Sequence, residues 1–159
     1  MGLFDFVKDA GASLLGMKTS AEKREEARQE KTTKIQEFVS VFELGIENFG
    51  IEFGGEDDEV VILRGEAQSQ ADKEKLILAV GNIQGIAQVD DQMTVTAPDP
   101  EPPAVFYTVK SGDSLSKIAK AHYGDAMRYN DIFEANKPML KDVNLIYPGQ
   151  VLRIPGANA

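Results

Sequence analysis

Cysteine is absent from all 159 residues. That excludes a disulfide framework and a thiolate zinc site, and it removes the lipidated cysteine of a lipoprotein anchor. Histidine occurs once, at His122. A Ser-His-Asp triad would have to use it as its base, yet it sits beside the Leu115–Ile118 apolar stripe and next to a Tyr-Gly turn, the setting of a structural histidine. No G-x-G-x-x-G or P-loop follows a strand-like segment. Acidic pairs stand at Asp57-Asp58 and Asp90-Asp91, but without the D-x-D-x-D-G spacing of a calcium loop. They read as solvated turns. These absences together indicate a non-enzyme.

Long apolar runs are also missing. The opening MGLFDFVKDAGASLLG is interrupted by Asp5, Lys8 and Asp9. A bilayer span needs about 20 mostly apolar residues, and a secretory signal needs a basic start before an unbroken apolar core. Neither is present, and Phe6 stands where N-myristoylation wants Ser or Thr. A cytoplasmic protein is expected. What remains is an amphipathic helix over residues 1–18, with Leu3, Val7, Ala10 and Leu14 on one stripe and Phe6 beside it. That face must dock on the protein's own core, a partner or a membrane surface, and the segment's neutral charge argues against the membrane.

Positive charge is scarce where it would matter for polyanions. Residues 33–97 hold four basic and 13 acidic groups, a net −9, while residues 1–32 balance to zero. Nucleic acid and anionic lipid need a positive surface, so neither is expected as a partner. An acidic surface tolerates or attracts cations.

Four prolines fall in the nine residues TAPDPEPPA, Thr96–Ala104. Proline blocks helices and ladders and favours a semi-rigid spacer, so residues 98–104 are read as a linker. Residues 19–34, TSAEKREEARQEKTTK from Thr19, are charged and nearly free of large apolar side chains; they read as an exposed connecting helix or a mobile tether. The remainder is a middle domain, 35–97, and a C-terminal domain, 105–156. The fold class is α+β with two small domains.

The middle domain starts with a helical stripe, Ile35, Phe38, Val39 and Phe42. Ile51 and Phe53 alternate with Glu52, Gly54-Gly55 opens a turn, and Val61 and Leu63 return as the second strand of a hairpin. Ser69 and Asp72 have capping-box spacing ahead of a helix with Leu76, Val80 and Ile83 on its buried stripe. Gly81 and Gly85 mark its end. Ala87, Val89, Met93 and Val95 form a last strand, with Asp90-Asp91 near a bulge or bend. The order is α-β-β-α-β. The pattern Val61-x-Leu63-x-Gly65-x-Ala67, then a helix, then Gly85-Ile86-Ala87-x-Val89-Asp90-Asp91, resembles the BON domain.

In the C-terminal domain Tyr107–Val109 reads as a strand. Asp113 or Ser114 caps a helix bearing Leu115, Ile118 and Ala119. Tyr129, Ile132, Phe133 and Asn136 line a second helix ended by Pro138. Pro148-Gly149 suits a type II turn before the strand Val151–Ile154. This βααβ module resembles the LysM domain at both ends, in YTVKSGDSLSKIA from Tyr107 and in IYPGQVLRIP from Ile146.

Over the opening MGLF-x-FVKDAG, over ILAVGNIQGIAQVDDQ and over FEANKPMLK through IYPGQVLRIP, the whole chain resembles the bacterial cytoplasmic potassium-binding proteins of the BON–LysM type. It departs from them in the long charged segment 19–34, in an extended acidic hairpin around Gly54–Glu59, and at Ala12, where the family tends to a charged residue.

Potassium is large and singly charged, so neutral oxygens can replace its hydration shell, as in carbonyl-lined filters. The last carbonyls of a helix have no intrahelical partner and carry negative partial charge. The helix ending in AVGNIQGI supplies such oxygens, and a first helix ending near Asp9-Ala10-Gly11 would supply more. The resemblance implies backbone oxygens from Val7, Ala10 and Ala12 and from Gly81, Ile83 and Ile86. The reading is a K+ sensor or buffer whose LysM module closes on the middle domain when the ion binds, and a neutral carbonyl cage sized for a large ion would accept Rb+ or Cs+ as substitutes. The alternative is a cell-envelope protein whose LysM module grips N-acetylglucosamine-containing peptidoglycan, with a groove from Ser111, Gly112, Asp113 and Ser114 and from Asn136, Lys137, Pro138, Met139 and Leu140. The same surface could take a protein partner.

Overall fold

A computed structural model describes residues 18–156 of the chain. The first element among these residues is one continuous helix, α1, Ser20–Ser40. The charged stretch from Thr19 is therefore helical and joins the apolar stripe without a break. Thr19 and Glu22 start it with a reciprocal capping box: Thr19 Oγ1 accepts from Glu22 N at 3.1 Å, and Glu22 Oε2 accepts from Thr19 N at 2.8 Å. Ile35 and Val39 are the buried residues of α1. Phe38 stays 44% exposed, stacked edge-on with Phe42.

Strands β1 (Ile46–Gly54) and β2 (Val60–Ala67) pair antiparallel, and β3 (Gln88–Val95) joins β2 in parallel, giving the order β1-β2-β3. A parallel pair needs a long crossover, and α2, Gln70–Gly81, supplies it. Ser69 caps α2, accepting from Asp72 N at 3.0 Å. The β2–β3 register is unbroken from Val60↔Gln88 to Ala67↔Val95. The bulge or bend expected at Asp90-Asp91 is thus absent; those residues pair with Ile62 and Leu63, and Asp91 meets Lys73 Nζ at 2.8 Å. The irregularity lies instead in β1, between Glu47 and Gly50. Gly65 stands across from it at φ +147, where a β-carbon would come within 3.0 Å of the Glu47 carbonyl oxygen. Ile35, Val39, Val61, Leu63, Leu76, Val80 and Met93 form the core of this domain.

The C-terminal domain pairs β4 (Val105–Thr108) with β5 (Val151–Ile154) antiparallel. Between them lie α3 (Leu115–Tyr123), a 3-10 turn (Ala126–Arg128) and α4 (Tyr129–Ala135). Ser114 is the cap of α3, accepting from Lys117 N at 3.2 Å, while Asp113 accepts from Lys110 N at 2.8 Å and from the Tyr107 hydroxyl. Gln150 N donates to Tyr147 O at 3.1 Å across the Pro148-Gly149 turn, with Gly149 at φ +92. His122 is half-buried, edge-on to the Tyr107 ring.

Asp58 is not a solvated turn residue. It is 7% exposed. Arg28 reaches its Oδ1 through Nη2 at 2.7 Å and Nε at 3.0 Å, Arg24 through Nη2 at 3.0 Å, and Lys31 Nζ lies 3.8 Å from Oδ2. Arg24 also donates to the carbonyls of Gly55 and Glu56. The charged helix and the acidic hairpin are therefore each other's partners. Hydrogen bonding from Arg28, opposed by desolvation and reinforced by Arg24, lowers the Asp58 carboxyl from 3.8 to about 2. A carboxyl depressed in the folded state stabilises above its unfolded pKa and loses that contribution as pH falls toward the folded one. Stability should therefore drop between about pH 4 and pH 2. Asp58→Asn should remove about 1–2 kcal/mol at neutral pH, a value reduced by the solvent around the part-exposed arginines. Urea melts from pH 2 to 7 on both proteins check this; parallel pH profiles would contradict it.

Candidate metal centre at the end of the second helix

Helix α2 is buried on two faces. Leu76 and Val80 face the sheet core. Glu74, Leu78 and Asn82, spaced four apart, form the other line, and this line meets the C-terminal domain. Glu74 is 2% exposed and Arg153, in β5, is 3% exposed. Glu74 Oε1 accepts from Arg153 Nη2 at 3.0 Å, and Glu74 Oε2 accepts from Ala104 N at 3.0 Å. Arg153 Nη1 also donates to Ala135 O at 3.2 Å. Leu78 shares a small crevice with Phe42, Lys75, Asn136, Pro138 and Met139. The sequence carried a signal for this second face: Leu76-Ile77-Leu78-Ala79-Val80 is too broad an apolar run for one stripe. Arg153, between Leu152 and Ile154, was its charged counterpart.

After Gly81 the chain makes a tight turn. Asn82 N donates to Leu78 O at 3.0 Å, Ile83 N to Val80 O at 3.1 Å, and Ile86 N to Ile83 O at 3.1 Å; Ala87 N then donates to Glu59 O at 2.8 Å. These anchors aim the carbonyls, because a trans peptide holds its C=O opposite its N–H. The Gly81 carbonyl shares a peptide with the Asn82 N–H, which points back into α2, so this oxygen points out beyond the helix end. The Ile86 carbonyl shares a peptide with the Ala87 N–H and points away from Glu59. Among the described residues neither oxygen accepts a hydrogen bond. Ile83 O accepts one and has a second lone pair. The turn lies at the negative end of the α2 dipole.

Gly85, at φ +97, is the glycine whose conformation this turn requires. Gly81 is helical; a β-carbon there would meet Val89 Cγ2 at 3.3 Å. Its value is close packing on β3 rather than an unusual φ.

Gly81, Ile83 and Ile86 therefore share one turn. A cleft of about 340 Å³ runs from Ile83–Ile86 to Lys31, Lys34 and Ile35 of α1, with Phe53 and Asp58 on its walls. A second cleft, about 310 Å³, lies toward the C-terminal domain between Phe38, Asn82, Ile83, Met139, Tyr147 and Gln150. Val7, Ala10 and Ala12 lie outside the described residues. Among the described residues no group of three or more His, Asp or Glu side chains could hold a metal.

Of the groove residues expected for a glycan, Ser111 and Gly112 are exposed, and Asp113 and Ser114 are half-buried and engaged at the start of α3. Asn136 and Leu140 are 1% and 2% exposed and cannot line an open groove. Leu140 belongs to the core. The Asn136 carboxamide is spent on β5, donating to Arg153 O at 2.9 Å and accepting from Arg153 N at 2.8 Å. Pro138 and Met139 face Phe42 and Leu78. Lys137 lies over the Phe133 ring and pairs with Glu134 at 2.9 Å.

No helix among the described residues is long and apolar enough to cross a membrane. A BON domain matches residues 31–97 and a LysM domain matches residues 107–155. The chain is 48% identical over 158 residues to the potassium binding protein Kbp of Escherichia coli O6:H1, covering 98% of this chain and 99% of that protein. It is 39% identical over 105 residues to an uncharacterized protein of Deinococcus radiodurans, covering 60% of this chain and 41% of that one. BON and LysM are binding domains, and the chain is not an enzyme. End-to-end alignment at 48% identity, over a BON domain followed by a LysM domain, shows that the chain belongs to the BON–LysM protein family that contains Kbp.

Proposed function

We propose that the protein binds a potassium ion in the cytoplasm as a sensor or buffer, with the backbone oxygens of Gly81, Ile83 and Ile86 on one side of the ion and those of Val7, Ala10 and Ala12 on the other. The observation that carries this reading is the turn after α2, which aims unaccepted carbonyls outward at the negative end of a helix. The near full-length similarity to a potassium binding protein supports the choice of ion. Reach is compatible with the second set of ligands. The seven residues from Ala12 to Thr19 can span up to about 24 Å, and Lys31, on the cleft wall, lies about 18 Å along α1 from its cap. The LysM module then serves as a closing partner of the BON domain. The burial of the Asn136 and Leu140 side chains weighs against the envelope reading.

Calorimetric titration of metal-stripped protein should show binding of K+, Rb+ and Cs+ and little of Na+, whose smaller radius leaves some oxygens out of reach. The melting temperature should rise with KCl, since an ion that binds only the folded chain adds about 2.7 kcal/mol at 100 times Kd. Matched NaCl or choline chloride should do much less, because screening of the acidic surface ignores cation identity. Identical melts in the three salts would reduce the effect to screening.

A further inference from the structure

Strand β5 has two edges. Its ladder with β4 uses one. In an antiparallel pair successive residues point their N–H and C=O groups to opposite sides, so Val151 and Arg153 present theirs to the outer edge. Unpaired edges are normally covered. Here two asparagine carboxamides cover it and act as a substitute strand. Asn136, from the same domain, takes Arg153. Asn82, from the BON domain, takes Val151: its Oδ1 accepts from Val151 N at 2.8 Å and its Nδ2 donates to Val151 O at 2.9 Å. The same Nδ2 donates to Leu78 O at 2.9 Å and contacts Met139 Sδ at 3.4 Å. The carboxamide is thus held at both of its ends.

Asn82 lies between Gly81 and Ile83. Its own N–H fixes the aim of the Gly81 carbonyl, and its side chain is fixed in turn by the LysM strand. We propose that Asn82 is the positioning residue of the ion site, the side chain through which the LysM strand reaches the carbonyls that would hold the ion. This rests on the potassium reading above. A cation drawing on the carbonyls that flank Asn82 restrains its backbone and so its grip on Val151. Docking of β5 restrains the same turn before the ion arrives. Linkage makes the effect reciprocal, and couplings of this kind are typically fivefold or more in affinity. Asparagine fits this position because its side chain offers one donor group and one acceptor in the spacing of a peptide, which aspartate, with acceptors only, cannot do.

Two measurements on the full chain test this. In the wild-type protein, K+ should slow hydrogen exchange at the Val151 amide, which ends on Asn82, much more than at the Arg153 amide, which ends on Asn136 within its own domain. Equal slowing at both would mean general stabilisation of the LysM domain and would overturn the proposal. In Asn82→Ala, calorimetry should show K+ affinity lowered at least about fivefold, with the K+ effect on Val151 lost and core amides such as Val61 and Leu152 still protected. Glu74→Gln weakens the same interface two helical turns away; it should lower affinity much less than Asn82→Ala. An Asn82→Ala protein that binds K+ like the wild type, or a Glu74→Gln protein impaired to the same degree, would sink the role of Asn82 while leaving the ion reading intact. Absence of K+ binding in the wild type would sink both.

Discussion

Removal of residues 1–16 is expected to abolish potassium binding and leave both domains folded. The BON core among the described residues, Ile35, Val39, Val61, Leu63, Leu76, Val80 and Met93, lies within residues 35–93. The LysM core lies within residues 109–154, beyond the proline-rich linker. Half of the proposed oxygens leave with the segment, however, and the three that remain cannot replace a hydration shell by themselves. Calorimetric titration reports the binding, and amide exchange of the core strands reports the fold. A shortened protein that takes up K+ as tightly as the intact chain would show that the segment is only a packing helix. Such a result would leave the carbonyl turn after α2 to be explained by structure alone.

Replacement of Glu74 by alanine is expected to cost about 3–5 kcal/mol, the penalty for leaving a buried charge without its partner. Glu74 and Arg153 are nearly without solvent, and no other carboxylate bonds Arg153 among the described residues. The same change frees the Ala104 N–H at the end of the proline-rich linker. Because the pair joins α2 to β5, the loss falls on the contact between domains, and urea denaturation should show it as a weaker and less cooperative transition. A buried pair is costly to break yet often neutral to replace as a whole. Glu74→Leu combined with Arg153→Met should therefore recover much of what the single change loses. A Glu74→Ala protein within about 0.5 kcal/mol of the wild type would show that water reaches Arg153 and that the pair behaves as a surface bridge.

Much of this protein is written in short-range patterns. The helix stripes around Ile35–Val39 and Leu115–Ala119, the Ser69 and Ser114 caps, the Pro148-Gly149 turn and the alternation Val61-x-Leu63 each depend on residues a few positions apart, so local stereochemistry reports them directly. The exit of α2 through AVGNIQGI could likewise be placed, since helix ends leave carbonyls without partners wherever they occur. The contacts that join distant segments were not legible in this way. Asp58 looks like a solvated turn until Arg24 and Arg28, 34 and 30 residues earlier, close on it. Glu74 finds its partner in Arg153, 79 residues later. Asn82 finds its partners on the free edge of β5, 69 residues later. Periodicity tells a residue which face of its own element it occupies. What that face meets depends on how the sheet is crossed and on which strand edge is left open, and those are properties of the assembled chain.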